Sequence, residues 1–408
     1  MVENTVPAVP GSVSDAKQIS LHELALFFLR LGTTAFGGPA AHIAIMEDEL
    51  VRRRDWLSRE KFLDLLGASN LIPGPSSSEL AIHIGYLRAG WAGLVVAGSC
   101  FILPAAAMVG VLAWAYIHFG RLPATSALLY GVKPVVIAVI LQALWGLGRT
   151  AVKTKSLAAV GLASVALSIY GLHPLLLLLV AGAAVALSCG VIRTVKQGGV
   201  RALIPGGASR LLNRAYVSFA KIAAGAAVTA PFGLWPLFLV FLKVGAVVFG
   251  SGYVLLAFLR ADLVVHRAWL TDAQLVDAIA IGQVTPGPVF TTATFIGYVL
   301  GGLKGAVVAT VGIFLPAFLL VAASGPLVSR IRKSPVAGAF LDGVNVGSLA
   351  LMAVVTWQLG RASLVDIETT LLAAASLVLL LRFRVNSAWL VLLGAFVGLL
   401  SRHRILWR

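Results

Sequence analysis

The sequence predicts an all-α polytopic membrane protein of about 10 transmembrane helices plus two broken, re-entrant helical hairpins, in two inverted-topology repeats. Three observations support this prediction: an apolar composition, an internal repeat, and a Pro-Gly-Pro segment in each half. Of the 408 residues, 59% are hydrophobic and only 12% are charged. A soluble domain carries about twice that charged fraction, because its exposed helix faces need charges. Lipid is therefore the expected solvent for most helix faces.

The net charge of +16 comes from short clusters of Lys and Arg between the apolar stretches. These clusters lack the aromatic interleaving and the recognition helix of a nucleic-acid-binding protein, so we expect no nucleic-acid partner. Because short loops rich in Lys and Arg stay in the cytoplasm, the clusters near 52–61, 149–155 and 330–333 predict cytoplasmic loops. A last cluster, at 402–408, disagrees with this orientation.

No motif for catalysis, nucleotide binding or metal binding is present. The sequence contains no P-loop, GxSxG or HExxH pattern, so we predict neither an enzyme nor ATP-driven transport, and no cofactor. Cys100 and Cys189 lie in apolar stretches without a CxxC partner or a nearby ligand set. A disulfide or a metal site is therefore not expected.

Apolar stretches of spanning length, about 17–25 residues, form two similar sets. Between the first and second members of each set lies a moderately apolar segment, at 62–88 and at 275–300, that Pro-Gly-Pro interrupts. We interpret these segments as the re-entrant hairpins. The predicted spans are 24–46, 91–117, 124–148, 156–172 and 173–192, and then 233–259, 303–326, 336–360, 364–381 and 386–401.

Shifting the sequence by 213 residues superposes one half on the other. The shift matches Trp56-Leu57-Ser58 with Trp269-Leu270-Thr271 and Pro73-Gly74-Pro75 with Pro286-Gly287-Pro288; after a one-residue gap it becomes 212. Five spans plus a hairpin make an odd count in each half, so the second half is inverted. The predicted regions are a disordered tail at 1–20, a first repeat at 21–192, a basic cytoplasmic linker with a candidate interfacial helix at 193–232, and a second repeat at 233–408.

The two Pro-Gly-Pro breaks are the strongest candidates for a binding site. Proline removes a backbone donor and interrupts the helix, which a membrane tolerates only where protein or water surrounds the freed groups. The helix that follows presents free N–H groups and a positive dipole end, which stabilise an anion by about 0.3–2 kcal/mol. An ordinary kink capped by Ser and Thr is the alternative. The predicted oxyanion site comprises Pro73, Gly74, Pro75, Ser76 and Ser77 with Pro286, Gly287, Pro288 and Thr291.

Amides and glycines near the breaks extend this site. Asn70 and Gln283 are equivalent amides just before the breaks, and helix capping explains them nearly as well as ligand binding does. The Gly-rich stretches that contain Gly37, Gly38 and Gly250 let backbones approach closely. They serve either helix packing or the lining of the substrate path.

Arg30 and Lys243 are repeat-equivalent cations inside predicted spans. A cation at the centre of a membrane helix costs about 2.5–3.5 kcal/mol, so a partner has to compensate it. If both face the interface between the repeats, they neutralise a dianion; snorkelling to the lipid headgroups is the alternative.

Two further charges occur in one half only. Lys133 is a similar cation, but its repeat equivalent is Asn345. Glu79 follows the first break and has no acidic counterpart. It is either a proton-coupling carboxylate or a partner for Arg30 or Arg88, and the sequence favours neither.

With these motifs assembled, the chain resembles a long-form member of the chromate ion transporter (CHR) family over about 21–400. The resemblance implies secondary active export of chromate across a bacterial inner membrane, giving chromate resistance, with energy from the membrane potential or a proton gradient. One departure is Ser251-Gly252 where the first half has Gly38-Pro39, so the halves are expected to contribute unequally. The motifs that carry the resemblance are Phe36-Gly37-Gly38-Pro39 with His42, Leu71-Ile72-Pro73-Gly74-Pro75, Gly85-Tyr86, Phe249-Gly250 and Thr285-Pro286-Gly287-Pro288.

The leading hypothesis is alternating access, with the repeats moving around an oxyanion held between the two breaks, Arg30 and Lys243. Sulfate is a similar tetrahedral dianion, so sulfate transport and import are alternatives within the same class. A passive anion channel and a membrane scaffold are alternatives from other classes, although the paired intramembrane cations argue against a scaffold. The expected partners are the anion and the lipid bilayer, and composition leaves the oligomeric state open, a homodimer included.

Overall fold

The computed structural model describes residues 19–120, 122–196, 232–249, 252–332, 335–383 and 385–406, and these ranges contain helices and no strand. The predicted tail at 1–20 and linker at 193–232, and Gly250, lie wholly or almost wholly outside them. The helices are α1 Leu21–Thr34, α2 Gly38–Glu47, α3 Arg59–Ser69, α4 Ser76–Phe119, α5 Pro123–Ala151, α6 Lys155–Ile169, α7 Pro174–Lys196, α8 Leu234–Val247, α9 Leu255–Leu259, α10 Asp272–Val284, α11 Thr292–Arg332, α12 Pro335–Ser363, α13 Ile367–Arg382 and α14 Ser387–Leu406.

The predicted all-α membrane fold is confirmed. Among the described helices, α4, α5, α11 and α12 are long and apolar enough to cross a membrane. Shorter apolar helices or helix segments occur in α6, α7, α8 and α14. The chain is therefore a multi-pass membrane protein.

The first predicted span of each half is wrong as a continuous helix. α1 ends at Thr34, Ala35 is extended, and α2 starts only at Gly38. Gly37 has φ +107, a conformation that glycine adopts without steric cost and that cannot continue a right-handed helix. In the second half, α8 ends at Val247, before an extended residue, and the predicted span 233–259 is interrupted there too.

Each helix of the first half has a counterpart seven labels later, from α1 and α8 to α7 and α14. The irregular backbone matches as well. Asp55 and Ala268, which are equivalent at a shift of 213, have positive φ values of 51° and 50°. The kinks inside α4 and α11 coincide at a shift of 212, with φ and ψ of 58° and −143° at Gly90 and of 60° and −152° at Gly302. Both halves thus fold to the same local backbone.

The halves are interlocked rather than placed side by side. α4 packs against α11 at the centre, while α1 packs against α4 and α8 packs against α11. α5 packs against α13 and α14 of the second half, and its counterpart α12 packs against α6 and α7 of the first half. Each half therefore supplies the surface that covers the other half's long helix.

Glycines set the closest helix contacts between the halves. A Cβ atom on Gly131 of α5 would collide with the carbonyl oxygen of Gly394 in α14. At the equivalent crossing, a Cβ on Gly343 of α12 would collide with the carbonyl oxygen of Ala181 in α7. Because lipid provides no hydrophobic drive between helices, such close packing of small residues supplies much of the association energy.

We expect Gly131→Ala to lower the free energy of unfolding by about 1–3 kcal/mol, because the added methyl group overpacks the crossing of α5 and α14. Thermal unfolding of the purified protein in detergent measures this loss. Gly146→Ala is the matched control on the same helix, since a Cβ there meets no atom within 4 Å. Equal melting temperatures for the two variants would contradict the packing argument.

Candidate functional site

Each Pro-Gly-Pro break is hydrogen-bonded to the opposite half. The Gly74 N–H donates to the Val248 carbonyl over 2.7 Å, and the Gly287 N–H donates to the Ala35 carbonyl over 3.0 Å. Ala35 and Val248 are equivalent residues, and each is the extended residue that follows the first helix of its half. Two donors that the breaks remove from helical bonding are therefore satisfied across the interface.

Only glycine fits at the centre of either break. Gly74 and Gly287 have φ values of +140° and +92°, which residues with a side chain rarely adopt. A Cβ on Gly74 would collide with the carboxylate of Glu79, and a Cβ on Gly287 would lie 2.5 Å from Cβ of Ala105. The breaks are thus closely packed as well as hydrogen-bonded.

A polar cavity of about 250 Å³ lies beside the first break, between the two halves. Asn70, Gly74 and Ser76 line one side of it, and α12 of the second half lines the other. At its edge, Nζ of Lys153 lies 2.7 Å from Oδ1 of Asp342. The lining residues are Ser69, Asn70, Ile72, Gly74, Ser76, Leu147, Thr150, Ala151, Lys153, Val254, Asp342, Asn345, Ser348 and Leu349.

The N-terminus of α4 lies at this cavity. The N–H groups of Ser78 and Glu79 donate to the Pro75 carbonyl over 2.8 and 3.0 Å, so the helix begins directly after the break. The first N–H groups of a helix have no intrahelical acceptor and carry the positive end of its dipole. Since Ser76 lines the cavity, this end of α4 provides a suitable environment for an anion.

His42 joins the first break to the interface. Its Nδ1 lies 3.4 Å from the Ser77 hydroxyl, and its Nε2 lies 3.1 Å from the Ala35 carbonyl that also accepts the Gly287 N–H. His42 and Ser77 are both buried. Ser77 is therefore held behind the cavity by a side chain that we assigned no binding role from the sequence.

In the second half, the candidate residues Gln283 and Thr291 form hydrogen bonds with groups of their own half. The Gln283 side-chain oxygen accepts a hydrogen bond from the Tyr253 hydroxyl over 3.3 Å, and the Thr291 hydroxyl donates to the Pro288 carbonyl over 2.8 Å. Both residues are buried, and neither lines the cavity at the first break. A Cβ on Gly38 would lie 4.0 Å from the Tyr253 hydroxyl, so the start of α2 reaches this second cluster.

Arg30 and Lys243 lie outside the polar cavity. Lys243 forms an ion pair with Asp262, with Nζ and Oδ1 2.5 Å apart. Arg30 lines a smaller cavity of about 100 Å³ with Glu49 and Arg54. Glu49 and Asp262 are equivalent at a shift of 213, so the halves repeat a cluster of charges as well as a single cation.

Glu79 is fully buried next to Gly74. Within the described chain, neither of its carboxylate oxygens has a hydrogen-bond partner, and no ion pair joins it to Arg30 or Arg88. Burial of an unpaired carboxylate costs several kcal/mol, whereas the protonated acid is far easier to bury. Neither arginine that the sequence offered as a partner for Glu79 forms an ion pair with it in the described chain.

Sequence reasoning missed the far wall of the cavity. Asp342, Asn345 and Ser348 follow one another at intervals of three residues, so they share one face of α12. A polar stripe on an otherwise apolar helix is the signal that could have identified this wall. Thr150 and Lys153, at the end of α5, gave no comparable signal.

Equivalent helices of the two halves differ in burial. Residues 275–280 of α10 are all buried, whereas among the equivalent residues 62–67 of α3 only Phe62 is buried. α10 packs against α5, α12 and α14. By contrast, the cavity lies between the end of α3 and α12. The same sequence pattern is therefore open in one half and closed in the other.

Comparison with known proteins gives a consistent set of relatives. A family profile described as Chromate transporter matches residues 22–187 and 235–399. The chain is 35% identical to a chromate transport protein of Cupriavidus metallidurans, over 96% of each chain. It is 33% identical to a chromate transport protein of Pseudomonas aeruginosa, over 88% of this chain and 84% of the relative, and 32% identical to a probable chromate transport protein of Synechococcus elongatus, over 88% and 89%. No solved structure matches the chain.

We expect Gly74→Ala to destabilise the protein less in a Glu79→Ala background than in the parent chain. Alanine strains the backbone at this φ in both backgrounds, but its methyl group meets the carboxylate only where Glu79 is present. Thermal unfolding of the parent, the two single variants and the double variant gives the coupling, expected at about 0.5–3 kcal/mol. An equal loss in both backgrounds would show that Glu79 does not face Gly74.

Proposed function

Since the chain belongs to the chromate transporter family, we propose that it is a secondary active transporter that exports chromate across the bacterial inner membrane and confers chromate resistance. The observation that carries this proposal is the polar cavity at the first helix break. There the N-terminal end of α4 meets side-chain donors from both halves. A tetrahedral dianion requires several donors that converge from different directions, and this cavity supplies them.

We assign the first binding position to Asn70, Ser76 and the free N–H groups at the start of α4, with Asn345 and Ser348 opposite. Gly74, whose own N–H donates to Val248, shapes the break beside them. Amide and hydroxyl groups donate to oxyanions, and the dipole of α4 adds positive potential without a fixed charge. Pro73 and Pro75 keep the backbone at the break out of helical bonding. Ser77, which contacts His42, supports the break from behind.

Gln283 and Thr291, with Pro286, Gly287 and Pro288, form the equivalent position in the proposal. Their groups are turned inward while the second half is closed. Gly37 and Gly38 lie at the start of α2, where small residues let the chain approach the breaks. Gly250 is included because it is equivalent to Gly37 at a shift of 213. The side chains of Gln283 and Thr291 would contribute donors once the second half opens.

Arg30 and Lys243 are assigned to the path of the anion. Each lies on the helix that directly precedes the residue, Ala35 or Val248, whose carbonyl accepts a hydrogen bond from the break of the opposite half. Because their charges act over longer distances than dipoles do, they raise the concentration of a dianion near the breaks. The acidic neighbours Glu49 and Asp262 limit their cost inside the membrane.

Alternating access explains the difference between the halves. Two repeats of one fold can exchange roles, so that the open arrangement of α3 becomes that of α10 and the cavity opens on the opposite side. The positive-inside rule places Lys153, and with it the open cavity, on the cytoplasmic side. A cavity open to the cytoplasm is the state in which an exporter collects its substrate.

Glu79 is the proposed coupling residue. It is buried beside Gly74, so a change in its charge would act directly on the break that forms the anion site. Proton binding would remove a negative charge next to the incoming dianion. Anion binding and proton binding at this position would therefore favour each other, so a proton would leave together with the dianion. The membrane potential, negative inside, would drive the remaining single negative charge outward.

Reconstitution into liposomes tests the function. We expect saturable chromate flux that responds to an imposed potential or proton gradient, whereas flux that neither saturates nor couples would indicate a channel.

Arg30→Ala and Lys243→Ala are each expected to reduce the flux at least about tenfold, which corresponds to about 1.4 kcal/mol. Arg52→Ala is the control, since its side chain is 67% exposed and lies outside the proposed path. Competition by sulfate measures the preference between the two dianions, and unchanged flux in the Arg30 and Lys243 variants would remove them from the path.

Glu79→Gln tests coupling separately from transport. The amide keeps the size of the side chain but cannot exchange a proton, so we expect chromate exchange across the membrane to persist while the response to a proton gradient disappears. The measurement compares counterflow with gradient-driven uptake in the same liposomes. A variant that responds to the gradient as the parent does would exclude Glu79 as the coupling group.

A further inference from the structure

A buried polar network fastens the two halves together away from the open cavity. Nζ of Lys133 lies 3.0 Å from Oδ1 of Asp277, and the Tyr116 hydroxyl donates to Oδ2 of the same carboxylate over 2.9 Å. Asp277 is 4% exposed, and the Lys133 side chain is 21% exposed. The lysine belongs to α5, the aspartate to α10 and the tyrosine to α4, so the network connects the first half to the second.

The internal repeat shows which place this network occupies. At a shift of 212, Lys133 corresponds to Asn345, which lines the open cavity. At a shift of 213, Asp277 of α10 corresponds to Asp64 of α3, the helix at whose end the cavity lies. The network is therefore at the position where the second half would hold the equivalent of the cavity.

Helix packing agrees with this correspondence. α10 packs directly against α5, whereas the cavity lies between the end of α3 and α12, their respective counterparts. Val136 is fully buried, and its equivalent Ser348 at the cavity wall is itself only 2% exposed, so the difference lies in the neighbouring helices. Residues 275–280 of α10 are all buried, whereas of the equivalent residues 62–67 of α3 only Phe62 is buried. The space between the end of α3 and α12, which Asn345 lines, is thus open, whereas packing of α10 against α5 closes the equivalent space around Lys133.

Lys133 has no charged counterpart in the other half, because the equivalent residue is Asn345. A buried ion pair contributes little net stability when its desolvation is counted, but it can select one arrangement over another. The ammonium group of Lys133 therefore favours the closed arrangement around Asp277, whereas the amide of Asn345 at the equivalent position forms no such ion pair. Separation of the pair would leave a cation facing a newly opened space.

We propose that Lys133, Asp277 and Tyr116 form the gate of a second vestibule, and that Lys133 binds the oxyanion there when the gate opens. This inference rests on the proposed alternating access. In the open state an anion oxygen takes the place of the Asp277 carboxylate at Nζ of Lys133. Return of Asp277 displaces the anion and closes the vestibule, so release and closure are one exchange of partners at a single ammonium group.

Accessibility of engineered cysteines tests the gate without any chromate measurement. In a full-length chain with Cys100 and Cys189 replaced by alanine, Ser76→Cys reports on the open cavity, which the partly exposed Ser76 lines, and Val136→Cys reports on the proposed vestibule. A membrane-impermeant maleimide is added to one side of oriented vesicles at a time. In the parent we expect labelling of Ser76→Cys from the side of Lys153 and little labelling of Val136→Cys from either side.

Asp277→Asn is expected to raise the labelling rate of Val136→Cys from the opposite side several-fold, and Tyr116→Phe is expected to raise it less. The sharpest variant is the exchange Lys133→Asn with Asn345→Lys, which moves the cation to the other half. It should increase labelling of Val136→Cys and decrease labelling of Ser76→Cys. Labelling of Ser76→Cys from its own side in the Asp277→Asn and Tyr116→Phe chains verifies that they are folded.

Unchanged labelling of Val136→Cys in Tyr116→Phe and in the exchange variant would overturn the gate, whatever the chromate flux. Liposomes in which the parent moves no chromate while labelling changes as expected would refute the proposed substrate and leave the gate standing. The two hypotheses therefore fail separately.

Discussion

Two backbone hydrogen bonds between the halves are the constraint on which the rest of the structure depends. Gly74 donates to Val248 and Gly287 donates to Ala35, so each helix break is completed by the half in which it does not lie. In the hydrocarbon core of a membrane an unsatisfied backbone amide costs several kcal/mol. Neither break is stable without the other half, and the candidate site exists only at their interface.

This constraint explains which features the sequence predicts and which it does not. The breaks and the later spans depend on residues close together in the chain, and the repeat is a direct match between two stretches of sequence. The sequence predicts these features well. The end of α1 at Thr34 is not predicted in this way, because Ala35 leaves the helix and its carbonyl accepts a hydrogen bond from Gly287, far away in the chain. Local hydropathy therefore predicts one continuous span. The polar stripe on α12 is visible in the sequence, but its position at the cavity depends on the interlocking of the halves.

Duplicated halves also explain how one chain can have two arrangements of similar energy. If the halves exchange roles, most contacts are replaced by their equivalents, so the free-energy difference depends on positions where the halves differ. Lys133 and Asn345 are one such pair, and Ser76 and Val289 are another. A few asymmetric residues can therefore set the populations of the two states, and a ligand has to supply only a small differential affinity to shift them.

The repeat-equivalent cations Arg30 and Lys243 lie apart from the helix dipole and the polar donors at the first break. Lys243 is compensated by Asp262, and the Glu49 carboxylate lies 3.3 Å from Arg54 beside the cavity that Arg30 lines. The break next to Ser76 instead offers hydroxyl, amide and backbone donors at the end of a helix. A site made of several fixed cations would hold a dianion too tightly to release it on the other side. In the proposed mechanism, donors and a helix dipole bind the dianion more weakly, while the charges of Arg30 and Lys243 draw it in, so attraction and release are assigned to different residues.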